Sequence, residues 1–97
     1  MDTIPAKELD WYVGKPGYLI ADLRSPEEYS VGHIRGAVNA PEGVSDFLQK
    51  DQTQTLILYC ERGSRSMSVA RELERSGWRT KTVVGGIKAY RGRNLVK

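Results

Sequence analysis

Across its 97 residues the sequence holds one cysteine, one histidine and one phenylalanine. A lone cysteine excludes an internal disulfide and fits a reducing compartment. One Cys with one His is too small a ligand set for a metal site, and no cofactor is expected. No apolar run approaches the length of a membrane span. The opening Met1-Asp2-Thr3-Ile4-Pro5 is acidic, unlike the basic and apolar start of a signal peptide. The expectation is therefore a cytoplasmic location and no membrane partner. An excess of one charge is also missing: fifteen Lys and Arg against twelve Asp and Glu leave +3. The two signs are interleaved, which argues against nucleic acid and slightly favours small anionic ligands. Only the tail, with Lys88, Arg91, Arg93 and Lys97, lacks acidic partners, and it reads as a solvated basic helix end. With no repeats, low-complexity segments or linkers, residues 1–97 read as one domain. Such a chain buries roughly 60–70% of its unfolded surface.

What the sequence does have is a well-marked unit around that one cysteine. Leu56-Ile57-Leu58-Tyr59 suits a buried strand and runs straight into Cys60. Glu61-Arg62-Gly63-Ser64-Arg65-Ser66 follows as a polar loop, and a helix is expected from about Ser66 to Ser76. Met67, Ala70 and Leu73 share one of its faces, and Gly77 stops it. Cys60 is thus expected at the carboxyl end of a strand, facing a helix start, where open α/β sheets bind ligands. Loop N–H groups and the helix N-terminus would favour a thiolate there. Arg62 and Arg65 would add to this and could pair with an anionic substrate. Glu61 would oppose it unless it points outward, the orientation expected. The alternative is a small buried hydrophobic cysteine; the polar, Gly-containing turn directly after it argues against that.

The rest of the chain alternates strands and helices. A first helix is expected over residues 5–12, with Pro5 in its first turn, then a turn framed by Gly14 and Gly17 and a strand over Tyr18–Ala21. Ser25, Pro26 and Glu28 form a capping-box signal for the next helix. Residues 32–39 read as a short strand between tight turns, Val44–Lys50 as a helix with Phe47 and Leu48 inward, and Thr80–Val84 as a strand. A last helix begins at Ile87. The pattern implies a parallel sheet covered on both faces. Trp11, Trp78, Tyr29 and Phe47 are expected in the core. Gly85 and Gly86 are expected to permit close backbone approach near the site. His33 reads as a structural hydrogen-bonding residue rather than a general base. Asp22 and Arg24, at the end of a strand neighbouring that of Cys60, are expected to pair and prop the loop.

Gathered in order, these segments resemble the rhodanese family of sulfurtransferases. The matching pieces are Asp22-Leu23-Arg24 with Glu28-Tyr29; Gly32-His33-Ile34 with Gly36-Ala37 and Asn39; Leu58-Tyr59-Cys60 with Arg62-Gly63-Ser64-Arg65-Ser66; and Gly85-Gly86 with Ala89-Tyr90. No piece is decisive alone, but the ordered set is specific and spans nearly the whole chain. The resemblance implies a three-layer α/β/α fold with a central, mostly parallel five-stranded sheet. It also implies a Cys60 thiolate that takes sulfane sulfur from a small anionic donor, thiosulfate or a persulfide. A thiol, cyanide or protein acceptor would then receive the sulfur in a second displacement. By the same resemblance, Cys60 to Arg65 is the active-site loop, with the Ser66 hydroxyl beside it and Arg62 and Arg65 meeting the donor's charge. Two departures stand out. Glu61 places a carboxylate next to the nucleophile, where it would repel thiosulfate, and Tyr90 stands where the family more often has Trp. Two other readings remain open. One is a persulfide carrier or a partner-binding or redox module. The other is a phosphatase, disfavoured because Ser66 occupies the position where a phosphate-holding Arg is wanted.

Overall fold

The computed structural model describes residues 1–48 and 53–97. The fold is built on β5 (Thr55–Tyr59), the strand that the apolar run predicts. Leu56 to Tyr59 are all buried, which requires cover on both faces of the sheet. Strand alternation divides them. Leu56, Leu58 and then Cys60 join a cluster with Ala21, Leu23, Ala70 and Trp78. Ile57 and Tyr59 join a second cluster with Ile4, Leu9, Ile20, Val83 and Tyr90. β2 (Tyr18–Asp22) and β6 (Arg79–Val84) flank β5; β1 (Asp2–Pro5) lies outside β6, and β4 (Val38–Asn39) outside β2. Every pairing in this five-stranded sheet is parallel.

Helices cover both faces, giving the expected three layers. α1 (Leu9–Tyr12) buries Leu9 in the Tyr59 cluster. α3 (Ser64–Arg75) lays Val69, Ala70 and Leu73 on the Cys60 cluster. Between them α2 (Pro26–Val31) opens with the predicted capping box: Ser25 Oγ accepts from the Glu28 N–H, and Glu28 Oε1 accepts from the Ser25 N–H. Among the described residues no helix is long and apolar enough to cross a membrane.

Where the chain departs from its sequence pattern, the cause is pairing with distant residues. Residues 2–5 form a strand, taking Pro5 out of the helix expected over residues 5–12, because they pair in parallel with Lys81–Val84. A 3-10 turn, Ala6–Glu8, follows before α1 begins. Residues 32–39 contain two strands, β3 (His33–Ile34) and β4, in different sheets. β3 pairs antiparallel with β7 (Leu95–Val96). The expected last helix is therefore only the 3-10 turn Gly86–Ala89, and the basic tail runs into a strand instead of ending a helix. The expected helix over Val44–Lys50 is a 3-10 turn, Ser45–Phe47; Gln49 and Lys50 lie outside the described residues.

Two aromatics placed in the core by residue type are not there. Trp11 is 72% exposed, because α1 is one turn long and Leu9 takes its inward position. The Lys15 ammonium lies 5.5 Å from the Trp11 ring centroid instead. Phe47 is 39% exposed, with buried Val44 and packed Leu48 filling the core beside it. Trp78 is buried as expected, and Tyr29 is half-buried.

Candidate active site

β5 delivers Cys60 to the carboxyl edge of the sheet, and the chain turns at once. Gly63, at φ +108°, makes the corner and starts α3 two residues earlier than the apolar spacing predicts. A Cβ at Gly63 would lie 3.3 Å from Val83 O and Gly85 N, and the left-handed backbone favours glycine as well. The first helical bond runs from Met67 N to Gly63 O, so the preceding N–H groups have no helical acceptor. They turn to the sulfur. The Gly63 N–H donates to Cys60 Sγ at 3.1 Å, and the Arg65 and Ser66 N–H groups reach the same atom.

This cradle sets the acidity of the thiol. Burial is the largest single influence and pushes the pKa up. The Ser66 and Gly63 amides, the Ser66 hydroxyl and the Arg65 amide outweigh it, and the Cys60 pKa falls below its ordinary value. Main-chain dipoles rather than guanidiniums do this. Ser66 Oγ has one proton and two acceptors in reach: it donates to Gly63 O at 3.0 Å, and the sulfur competes for it. Cys60 itself is 6% exposed, yet it lines an open pocket of about 710 Å³ together with Leu23, Pro41 and loop residues.

The neighbouring strand ends hold this loop in place. Asp22 faces Tyr59 across the sheet and is fully buried. It accepts from Arg24 Nε at 3.0 Å, from an Arg24 terminal nitrogen at 2.7 Å and from the Arg24 backbone N–H at 2.9 Å. The same guanidinium donates to Gly32 O at 2.6 Å and stands 3.8 Å from Glu61 Oε1. The expected Asp22–Arg24 pair therefore exists and reaches the loop through Glu61. Glu61 turns toward Arg24 and the pocket wall, and its carboxylate is not among the main influences on the Cys60 pKa. Arg65 also differs from expectation: its fork donates to Leu23 O at 2.6 Å and to Pro41 O, strapping the loop to two other segments. Arg62 and Ser64 are exposed at the pocket, and among the described residues Arg62 has no hydrogen-bonding or ionic partner.

The other flank is the Gly85-Gly86 turn. Ile87 N donates to Cys60 O at 3.0 Å and Lys88 N to Glu61 O at 3.2 Å. Gly86 sits at φ +63°, and a Cβ there would fall 2.6 Å from Cys60 O and collide with Glu61 O. Gly86→Ala should therefore cost about 2–4 kcal/mol by urea unfolding, from left-handed strain plus a backbone clash. Gly17→Ala is the control: φ is +86° but nothing lies within 4 Å, and the cost should be only about 1 kcal/mol.

His33 is structural in its contacts. Its Nδ1 donates to Tyr29 O at 2.8 Å, and its ring stacks on Tyr29 with centroids 3.7 Å apart. Tyr90, the departure from Trp, donates its hydroxyl to Asp10 at 2.5 Å and accepts from the Asn94 N–H, tying the tail to α1. Sequence reasoning missed the pocket wall formed by Ser25, Pro26, Glu28, Pro41 and Glu42. Glu28 carried a local signal only as a cap, and Pro41 and Glu42 carried none.

A family model described as the rhodanese-like domain matches residues 5–93. The chain belongs to the rhodanese-like domain family. It is 35% identical over 89 residues to thiosulfate sulfurtransferase 16, chloroplastic, of Arabidopsis thaliana, covering 76% of this chain and 74% of that protein. It is 34% identical over 73 residues to the tRNA sulfurtransferase of Desulfurococcus amylolyticus, covering 75% of this chain but 15% of that one. The crystal structure of a rhodanese-like domain protein from Staphylococcus aureus superposes with a TM-score of 0.79 at 26% identity, covering 99% of this chain and 97% of that one. Sulfurtransferase-type relatives thus make a transferase the class of activity to which this rhodanese-like fold points.

Proposed function

We propose that this rhodanese-like chain moves sulfane sulfur from a donor, thiosulfate or a persulfide, to a thiol, cyanide or protein acceptor through a persulfide on Cys60. The observation that carries the reading is the convergence of the Gly63, Arg65 and Ser66 amides on one sulfur with a lowered pKa. In the first displacement the Cys60 thiolate attacks the outer sulfur of thiosulfate. A new S–S bond forms, the donor's S–S bond breaks, and its electron pair leaves on sulfite. The anionic outer sulfur then lies among fixed N–H dipoles, which stabilise it without a proton shuttle. In the second displacement the acceptor takes that outer sulfur and the Cys60 thiolate returns. Arg62, exposed and unpartnered among the described residues, is the residue free to meet the donor's charge. Arg65 contributes by positioning, through the carbonyls of Leu23 and Pro41. Asp22 and Arg24 hold the wall of the loop and do not touch the reacting atoms.

The test is intact-mass analysis after treatment with thiosulfate and, in parallel, with a small alkyl persulfide. A gain of one sulfur atom on Cys60, removed by cyanide or by a thiol with release of thiocyanate or persulfide, is the expected result. Gain of sulfur without turnover by either acceptor would assign the chain as a carrier. No gain with either donor would refute the reading.

A further inference from the structure

The charges around Cys60 do not match a dianionic donor. Although the whole chain carries +3, the pocket is lined by three guanidiniums, Arg24, Arg62 and Arg65, and three carboxylates, Glu28, Glu42 and Glu61. The guanidiniums are largely committed. Arg24 is 8% exposed at its side chain and already neutralised by buried Asp22. Adding Asp22 to the count sets four carboxylates against three guanidiniums. Arg65 aims its fork at two main-chain carbonyls. Two of the carboxylates are held in place. Glu28 is fixed by the Ser25 N–H and hydroxyl. Glu61 is steered by Arg24 at 3.8 Å. Among the described residues, the donors aimed at the sulfur are the loop N–H groups and the Ser66 hydroxyl. These suit the single charge of a persulfide on Cys60 but leave a sulfite group with Arg62 as its one uncommitted guanidinium against three carboxylates of the pocket lining.

Resting on the sulfurtransferase reading above, we propose that Glu28, Glu42 and Glu61 make the Cys60 pocket select against dianionic donors, so that its sulfur comes from a persulfide on a neutral or cationic carrier. The step balances without a further reactant. The Cys60 thiolate attacks the outer sulfur of R–S–S–H, a new Sγ–S bond forms, and the donor's S–S bond breaks with its electron pair leaving on the carrier's inner sulfur. The proton of the persulfide passes to the departing sulfur, which leaves as R–SH, and the single negative charge stays on the Cys60 persulfide. The Cys60 sulfur is oxidised as the carrier's inner sulfur is reduced.

The probes are 2-aminoethyl persulfide, 2-sulfoethyl persulfide and thiosulfate, with the rate of one-sulfur gain on Cys60 read by intact mass. The wild type should load from the aminoethyl donor at least about tenfold faster than from the sulfoethyl donor or thiosulfate, because a like charge a few ångströms away is poorly screened at a partly buried site. Glu61→Gln, Glu28→Gln and Glu42→Gln should each narrow that ratio, and the triple variant should bring it near one. Gln keeps the shape of each side chain and, at Glu28, the capping interaction. Raising salt should narrow the wild-type ratio and leave the triple variant unmoved. Loading of wild type and triple variant with the same donor preference would overturn the selectivity alone. Failure of all three donors to load would overturn the sulfurtransferase reading and the selectivity with it.

Discussion

Cys60→Ser should abolish sulfur transfer, lowering the rate at least about a thousandfold to the uncatalysed background, with the fold intact. A serine hydroxyl stays protonated at neutral pH and cannot form the S–S bond that carries the sulfur, so no rearrangement of the loop rescues it. Its oxygen can still accept from the Gly63 N–H that bonds Sγ at 3.1 Å in the wild type. The substitution therefore strands no amide, and a shift in stability above about 1 kcal/mol is not expected. Thiocyanate formation together with a melting curve separates the two effects. Activity equal to wild type would refute the role of Cys60.

The pH profile of the wild type should carry the mark of the same cradle. The Cys60 pKa is lowered because the Ser66 and Gly63 donors outweigh burial. Loading should be flat above that value and fall as pH drops through it, at a lower pH than for an ordinary thiol. The linked stability has the same sign. A group whose pKa is depressed by folding contributes fully above its unfolded pKa, and the contribution is lost as pH falls through the folded one. In Cys60→Ser the part of the pH dependence of stability that comes from the thiol should vanish.

The parts of this arrangement that were legible in the sequence are those encoded over a few neighbouring residues. The run Leu56–Tyr59 announces a strand buried on both faces, Ser25 with Glu28 announces a helix start, and Gly63 and Gly86 mark places where only glycine fits. Elements specified by distant partners were not legible. β1 has one buried residue, Ile4, and exists because it pairs with β6, some eighty positions along. β7 is two residues long and defined by His33–Ile34. The same holds within the site. Arg62 and Arg65 look alike as neighbours of Cys60, but Leu23 and Pro41 present carbonyls to one of them and leave the other free. Trp11 shows the limit of residue type: its size suggests burial, and a single turn of helix carrying Leu9 inward turns it out to solvent.

Asp22→Ala should be the most damaging substitution to stability, costing about 3–5 kcal/mol. Asp22 is fully buried and takes three donors from Arg24, whose side chain is 8% exposed. Removing the carboxylate leaves a guanidinium in the interior with Gly32 O and a carboxylate 3.8 Å away as its remaining partners. For a domain of this size each kcal/mol moves Tm by roughly 4–8 °C, so a drop of about 12–40 °C is expected. A domain with only about 5–15 kcal/mol in total would be brought near its threshold. If the damage comes from the stranded cation rather than from lost packing, Asp22→Ala with Arg24→Met should melt higher than Asp22→Ala alone. Replacing both partners of a buried pair by apolar groups removes the desolvation cost that breaking the pair exposes. A double variant no more stable than the single one would assign the loss to the cavity at Asp22. The double variant also releases Glu61 from Arg24. If that contact steers the carboxylate within the pocket wall, its donor preference should differ from wild type even where its stability has recovered.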